Sequence, residues 1–137
     1  KIVHTKSDIK KIVEEKLSLV GLEEILNLKP SELSGGMKKR VALARALVTN
    51  PSYILYDEPT TGLDPIMSDS IDQLIKDLSE KLNVTSVVVT HDMYSVKNVA
   101  NRVAMMNEGV IYFTGKPDEL INSSDKIIAD FIRRTEV

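Results

Sequence analysis

Residues 53–58 read Tyr-Ile-Leu-Tyr-Asp-Glu. Four apolar residues run without a break and stop at two carboxylates, followed by Pro59. An apolar run of this length without polar alternation predicts a strand buried on both faces, as in parallel sheets. Downstream, residues 85–90 contain Val87-Val88-Val89, a second such strand, which ends at His91-Asp92. Between the two lie a loop with Thr60, Thr61, Gly62 and Asp64, then Ile71, Leu74, Ile75, Leu78 and Leu82 at helical spacing. Strand, helix, strand with apolar strands predicts an α/β fold with a parallel core. Asp92 is placed to cap a following helix with Val96, Val99 and Ala100 inward. Residues 103–106 and 110–113 flank Asn107-Glu108-Gly109, a β-hairpin pattern. Short helices are predicted from Lys116-Pro117-Asp118 and over 127–132.

Upstream of the first strand, residues 7–20 form an amphipathic helical pattern through Ile9, Ile12, Val13, Leu17 and Val20. Leu22, Ile25, Leu26 and Leu28 suggest a short second helix broken by Pro30. Ser34-Gly35-Gly36 then opens a helix whose buried side is expected to carry Met37, Val41, Ala44 and Val48, and Asn50-Pro51 stops it.

The 137 residues suffice for one domain, and 42% hydrophobic with 28% charged residues is ordinary globular usage. Eighteen basic against 20 acidic residues give a net charge of −2, which lacks the basic footprint of a dedicated nucleic-acid binder. The absence of cysteine excludes disulfides, thiolate zinc sites and cysteine nucleophiles. No apolar run approaches the ~18 residues of a membrane span, so no direct membrane insertion is expected.

Three places carry chemistry. At Leu33-Ser34-Gly35-Gly36-Met37, two glycines follow a serine at a helix start, leaving backbone N–H groups uncovered at the positive end of the helix dipole. Alone this is equally an ordinary serine N-cap with a glycine entry. Asp57-Glu58 stands at the carboxyl end of a predicted strand, where α/β sheets bind ligands, and adjacent carboxylates can divide metal-holding from water activation. Alone it is a solvated acidic pair. His91 ends the second strand and alone reads as structural. Their order and spacing, with Gly62-Leu63-Asp64 between, decide the matter jointly.

The sequence closely resembles the ATP-binding domain of ATP-binding-cassette (ABC) transporters, over nearly its whole length. Residues 33–37 look like the signature loop, 53–58 like the Walker B strand, 61–64 like the D-loop, and His91 like the switch histidine. The resemblance implies a partial P-loop NTPase (RecA-like) core, with parallel strands flanked by helices and a C-terminal hairpin and helices. It implies ATP and Mg²⁺ as cofactors. Asp57 would orient the Mg²⁺ shell, Glu58 would be the general base toward water, and His91 would contact the γ-phosphate. Ser34, Gly35, Gly36 and Met37 would face nucleotide bound to the opposite subunit, and Asp64 would link the two sites across a dimer. Implied partners are a second ATP-binding subunit and transmembrane permease subunits, with no nucleic acid. The implied location is cytoplasmic, peripheral to the inner membrane through the permease.

The phosphate-cradling pattern G-x-x-x-x-G-K-[ST] is not found in the 137 residues. Gly115-Lys116 is followed by Pro117 in place of the hydroxyl residue, Gly109 is one residue too far away, and the hairpin context is wrong. The only glutamine, Gln73, lies in a helix downstream of the signature and cannot be the Q-loop residue. Since the missing parts precede residue 1 in the family's order, and Lys1 is not a methionine, we expect the C-terminal portion of a longer ABC ATPase. Residues 1–33 would be the trailing part of the helical subdomain, and 34–137 the second half of the core. Such a piece is expected to be inactive alone, and to fill the place of the missing strand by rearranging or by borrowing a partner chain.

Met37 where glutamine is usual, Lys38-Lys39-Arg40, the Thr60–Ile66 loop and the tail over 127–133 look similar to the Mla/Mce phospholipid-transport ATPases. The expectation is therefore an ATPase powering lipid transport across the envelope. The alternatives are an amino-acid or metal importer, a non-transport ABC ATPase, and a nucleotide-independent interaction module.

Overall fold

The structure, a computed structural model, describes residues 5–135. Two compact units divide the chain between Val88 and Val89.

In the first unit, helix α1 (Lys6–Leu19) begins at Thr5, whose hydroxyl accepts from the Asp8 N–H while the Asp8 carboxylate accepts from the Thr5 N–H. Residues 22–28 do not form the expected second helix. They make a 3₁₀ turn, Glu23–Ile25, and Pro30 opens another, Pro30–Glu32, instead of breaking a helix. The four leucines and isoleucines fit one α-helical turn but span too few residues to complete a nucleus.

Helix α2 (Gly35–Leu47) starts where expected, with Ser34 as N-cap. Its buried stripe is Gly36, Leu43, Ala44 and Leu47; Val48 is exposed, and Met37 and Val41 are half-buried. Both the expected and the observed stripes have helical spacing. The choice falls to the neighbours, since α2 packs against α1 and against α3 (Pro65–Leu82). Lys16 of α1, itself buried, donates to the Asn50 side-chain oxygen just beyond α2 at 2.8 Å. That bond ties the far end of α2 to the first helix.

Strand β1 (Tyr53–Asp57) pairs with β2 (Thr85–Val89), and α3 is the connection. Asp64 caps α3 with Pro65 in its first turn, and Asn83 ends it in the left-handed region. Ile71, Ile75 and Leu78 bury one face of α3 almost completely. The expectation that both strands are buried on both faces is corrected. Ile54 and Tyr56 are covered, but Tyr53 and Leu55 are 71% and 79% exposed, and Val87 and Val89 are exposed as well. Successive strand side chains point to opposite faces, and this ladder has two strands with one covered face.

The second unit is built on a hairpin. β3 (Val103–Asn107) pairs antiparallel with β4 (Val110–Gly115) across the two-residue loop Glu108-Gly109, both at positive φ, 49° and 80°. This is the turn whose twist matches the strands. Helices α4 (Met93–Val99), α5 (Pro117–Ile121) and α6 (Lys126–Thr135) complete the unit. Met93, Val96, Met105, Leu120, Ile128 and Ile132 form its core. Among the described residues no further strand joins either ladder.

Candidate functional site

The first unit gathers most of the expected site around the start of α2. The Ser34 hydroxyl accepts from the Met37 N–H at 3.2 Å, which occupies Met37's amide and fixes the first turn. The hydroxyl proton remains a possible donor, as do the Gly35 and Gly36 amides at the helix start. The loop before α3 backs onto these glycines: a Cβ at Gly35 would stand 3.6 Å from the Leu63 side chain, and one at Gly36 would meet the Met67 methyl. Asp64 caps α3 by accepting from the Met67 N–H at 3.1 Å, so one carboxylate oxygen is engaged inside its own chain.

The strand end is built differently. Asp57 closes β1 and is exposed. Glu58 leaves the strand in the left-handed region at φ 46°. A turn closes over it: the Thr61 N–H donates to the Glu58 carbonyl at 3.3 Å, and the Thr61 hydroxyl to the Glu58 carboxylate at 3.0 Å. The same carbonyl accepts from the Lys39 ammonium of α2 at 3.2 Å. Helix α2 and the strand end are thus joined by one side chain. In β1 itself, burial pushes the Tyr56 hydroxyl above its usual range, against a smaller opposing influence from Ser86.

Arg40, the next residue, points elsewhere. Its guanidinium donates to the Val20 carbonyl at 2.6 Å and to the Ser70 hydroxyl at 2.7 Å, linking the end of α1 to α3 through α2. Lys39, Arg40, Thr61 and Met67 were not among the sequence-derived site residues. A signal existed for two of them: Lys39 and Arg40 lie three and four residues beyond Gly36, on the helix face it shares.

His91 lies in the second unit and is exposed. Beside it, Asp92 accepts from the Tyr94 N–H at 2.8 Å and caps α4 as expected. Ser34, Gly35, Gly36, Met37, Asp57, Glu58 and Asp64 all belong to the first unit.

The donor set fits part of a nucleotide site. Backbone N–H groups and a hydroxyl at the start of a 13-residue helix suit a phosphate group. No group of three or more His, Cys, Asp or Glu side chains able to hold a metal occurs among the described residues. Asp57 fits Mg²⁺ only in that ion's usual manner, one carboxylate completed by waters and phosphate oxygens.

Comparison with known proteins agrees with this geometry. The ABC transporter family matches residues 3–61. The ATP-binding cassette MJ0796, solved as a dimer in a post-hydrolysis state with ADP and Pi, superposes with a TM-score of 0.72 at 38% identity, over 85% of this chain and 50% of that one. The chain has the α/β fold of an ABC ATPase cassette. Two curated relatives of this cassette are methionine import ATP-binding proteins. MetN 1 of Oenococcus oeni is 47% identical over 119 residues, 86% of this chain and 34% of its own length. MetN of Clostridioides difficile is 45% identical over 123 residues, 90% of this chain and 38% of its own. The cassette sequence therefore spans between a third and two-fifths of these relatives. The α/β fold with parallel strands, helices and hairpin stands as expected. The likeness to Mla/Mce phospholipid ATPases does not: these relatives are methionine importers, and the signature methionine and the short tail are features too small to outweigh an identity spread over most of the chain.

Proposed function

We propose that this chain is part of the ATP-hydrolysing subunit of an ABC importer for methionine or a closely similar amino acid. The one observation that carries the hydrolytic reading is Glu58: it leaves β1 at φ 46° with its carboxylate held by Thr61 and its carbonyl by the signature helix. A carboxylate fixed in this way at a strand end suits a general base that orients water. The relatives, methionine import proteins at 43% to 47% identity, support the amino-acid alternative over lipid transport.

In this reading Asp57 holds Mg²⁺ through water, and the ion, when bound, neutralises phosphate charge. Ser34, Gly35 and Gly36 donate to the γ-phosphate of nucleotide on a second copy, with Met37 completing the turn. His91 donates to the γ-phosphate of the subunit's own nucleotide, and Asp64 faces the partner copy. The 1–33 segment belongs to the helical subdomain and 34–137 to the catalytic core. The subunit works as a dimer on the cytoplasmic side, attached to permease subunits; no helix among the described residues is long and apolar enough to cross a membrane. The β-phosphate cradle comes from outside these 137 residues, which alone do not hydrolyse ATP.

The test is uptake. The full polypeptide, reconstituted with its permease in vesicles, is expected to take up labelled methionine with ATP, and Glu58→Gln is expected to stop both uptake and phosphate release. ATP-driven phospholipid movement without methionine uptake would overturn the substrate assignment. Phosphate release by the 137 residues alone, abolished by Glu58→Gln, would overturn their inactivity.

A further inference from the structure

Among the described residues, four non-glycine residues take positive φ: Asn50, Glu58, Asn83 and Glu108. Asn50 and Asn83 follow helix ends, and Glu108 sits in the hairpin turn, all usual places for such a backbone. Glu58 follows a strand outside any hairpin turn, and its carbonyl is held from outside its own turn. That support comes from Lys39, 19 residues earlier, whose ammonium donates to the Glu58 carbonyl at 3.2 Å in a partly buried setting. The Thr61 N–H shares the same oxygen, and the Thr61 hydroxyl holds the carboxylate.

Lys39 belongs to α2, the helix whose first turn presents Ser34, Gly35 and Gly36. The helix is stiff along its axis, and Gly36 and Lys39 are one turn apart on adjoining positions of one face. A displacement of the α2 start therefore reaches the Glu58 carbonyl through a single side chain. Thr61 bonds both the Glu58 carbonyl and the Glu58 carboxylate, so a shift of the carbonyl is passed to the carboxylate through Thr61.

We propose that Lys39 is a positioning residue that couples the signature helix to the orientation of Glu58. The inference rests on the reading of Glu58 as the base. Since Ser34 to Gly36 face nucleotide on the opposite copy while Glu58 acts on the subunit's own, Lys39 makes each base responsive to the other site.

The experiment uses the full-length subunit with its permease and compares Lys39→Met, Lys39→Arg and Glu58→Gln. Lys39→Met removes the donor and keeps the stem; a base displaced by about 1 Å costs roughly a hundredfold, so kcat is expected to fall between about tenfold and a hundredfold. Nucleotide affinity, read by equilibrium binding of a fluorescent ATP analogue, is expected to stay within about twofold, because Lys39 acts on the base and not on the ligand. Lys39→Arg keeps a charged donor on a stem of similar length and is expected to restore most of kcat. If Lys39→Met does not fold, Lys39→Leu carries the same comparison. Unchanged kcat in the folded donor-less variant, a loss of affinity equal to the loss of kcat, or failure of Lys39→Arg to recover would each overturn the proposal. Normal hydrolysis by Glu58→Gln would instead overturn the assignment of the base, whatever the Lys39 variants do.

Discussion

Replacing Arg40 by methionine tests what holds α2 between its neighbours. The guanidinium makes two short bonds, to the Val20 carbonyl at 2.6 Å and to the Ser70 hydroxyl at 2.7 Å. Hydrogen bonds from a charged donor contribute about 1.5–3 kcal/mol each. The two ends differ in what replaces the lost bond. Val20 is fully buried, so its carbonyl is poorly placed to find water, whereas Ser70 is half-buried and can be rehydrated. Taking the full value at Val20 and the lower end at Ser70, Arg40→Met is expected to cost about 4.5 kcal/mol. Arg40 also crowds Gly21: a Cβ there would lie 3.1 Å from the guanidinium, at φ 68°. The assay is urea denaturation of Arg40→Met, Ser70→Ala and the double variant, with a constant m-value as the check that only stability changes. The cycle is expected to return a coupling of about 1 kcal/mol between Arg40 and Ser70, within the range for directly bonded residues. A total loss below about 1 kcal/mol for Arg40→Met, or a cycle that closes to within about 0.3 kcal/mol, refutes the reasoning.

Ile75 is fully buried in α3, so Ile75→Ala is expected to destabilise by about 2–5 kcal/mol, while Ile66→Ala, at a side chain 82% exposed, stays within about 0.5 kcal/mol in the same denaturation series. Gly109→Val places a β-branched residue at φ 80° in the hairpin turn; a loss of about 1–2 kcal/mol, with amide exchange rising in β3 and β4 first, is expected. Asp125 is held below the usual carboxylate range, first by the Ile128 N–H and then by the Tyr112 hydroxyl, with a smaller contribution from the Ile127 N–H. A lowered folded value means that its contribution is present above the ordinary 3.8 and disappears as pH falls through the lowered value, so the Ile127 and Ile128 amides should titrate there in NMR and stop doing so in Asp125→Asn. Tyr112, pushed up chiefly by the same bond, has the opposite sign: its contribution is present below pH 10 and is lost as pH rises beyond.

Much of the fold was legible in local chemistry. Ser34 and Asp92 cap helices as expected, and a hairpin forms at Glu108-Gly109, because such signals are satisfied within a few residues. Residues 22–28 misled because a handful of leucines at helical spacing carries no information on whether a nucleus can form. The buried stripe of α2 was misplaced because two stripes of equal periodicity exist, and only α1 and α3 choose between them. The likeness to lipid-transport ATPases misled for a related reason: small departures such as Met37 say little beside identity spread over 86–90% of the chain.

The order of Ser34-Gly35-Gly36, Asp57-Glu58, Asp64 and His91 along the chain carried the resemblance to ABC cassettes, because it sets chemical types suited to phosphoryl transfer in a fixed sequence. Only the tertiary structure decided how the first of these groups are joined. Lys39 reaching Glu58, Arg40 spanning Val20 and Ser70, and Met67 lying against Gly36 are contacts between residues 19 to 31 apart or on different helices. No periodicity records them. A side chain's direction on a helix follows from local geometry, but the atom it meets depends on where other elements have packed.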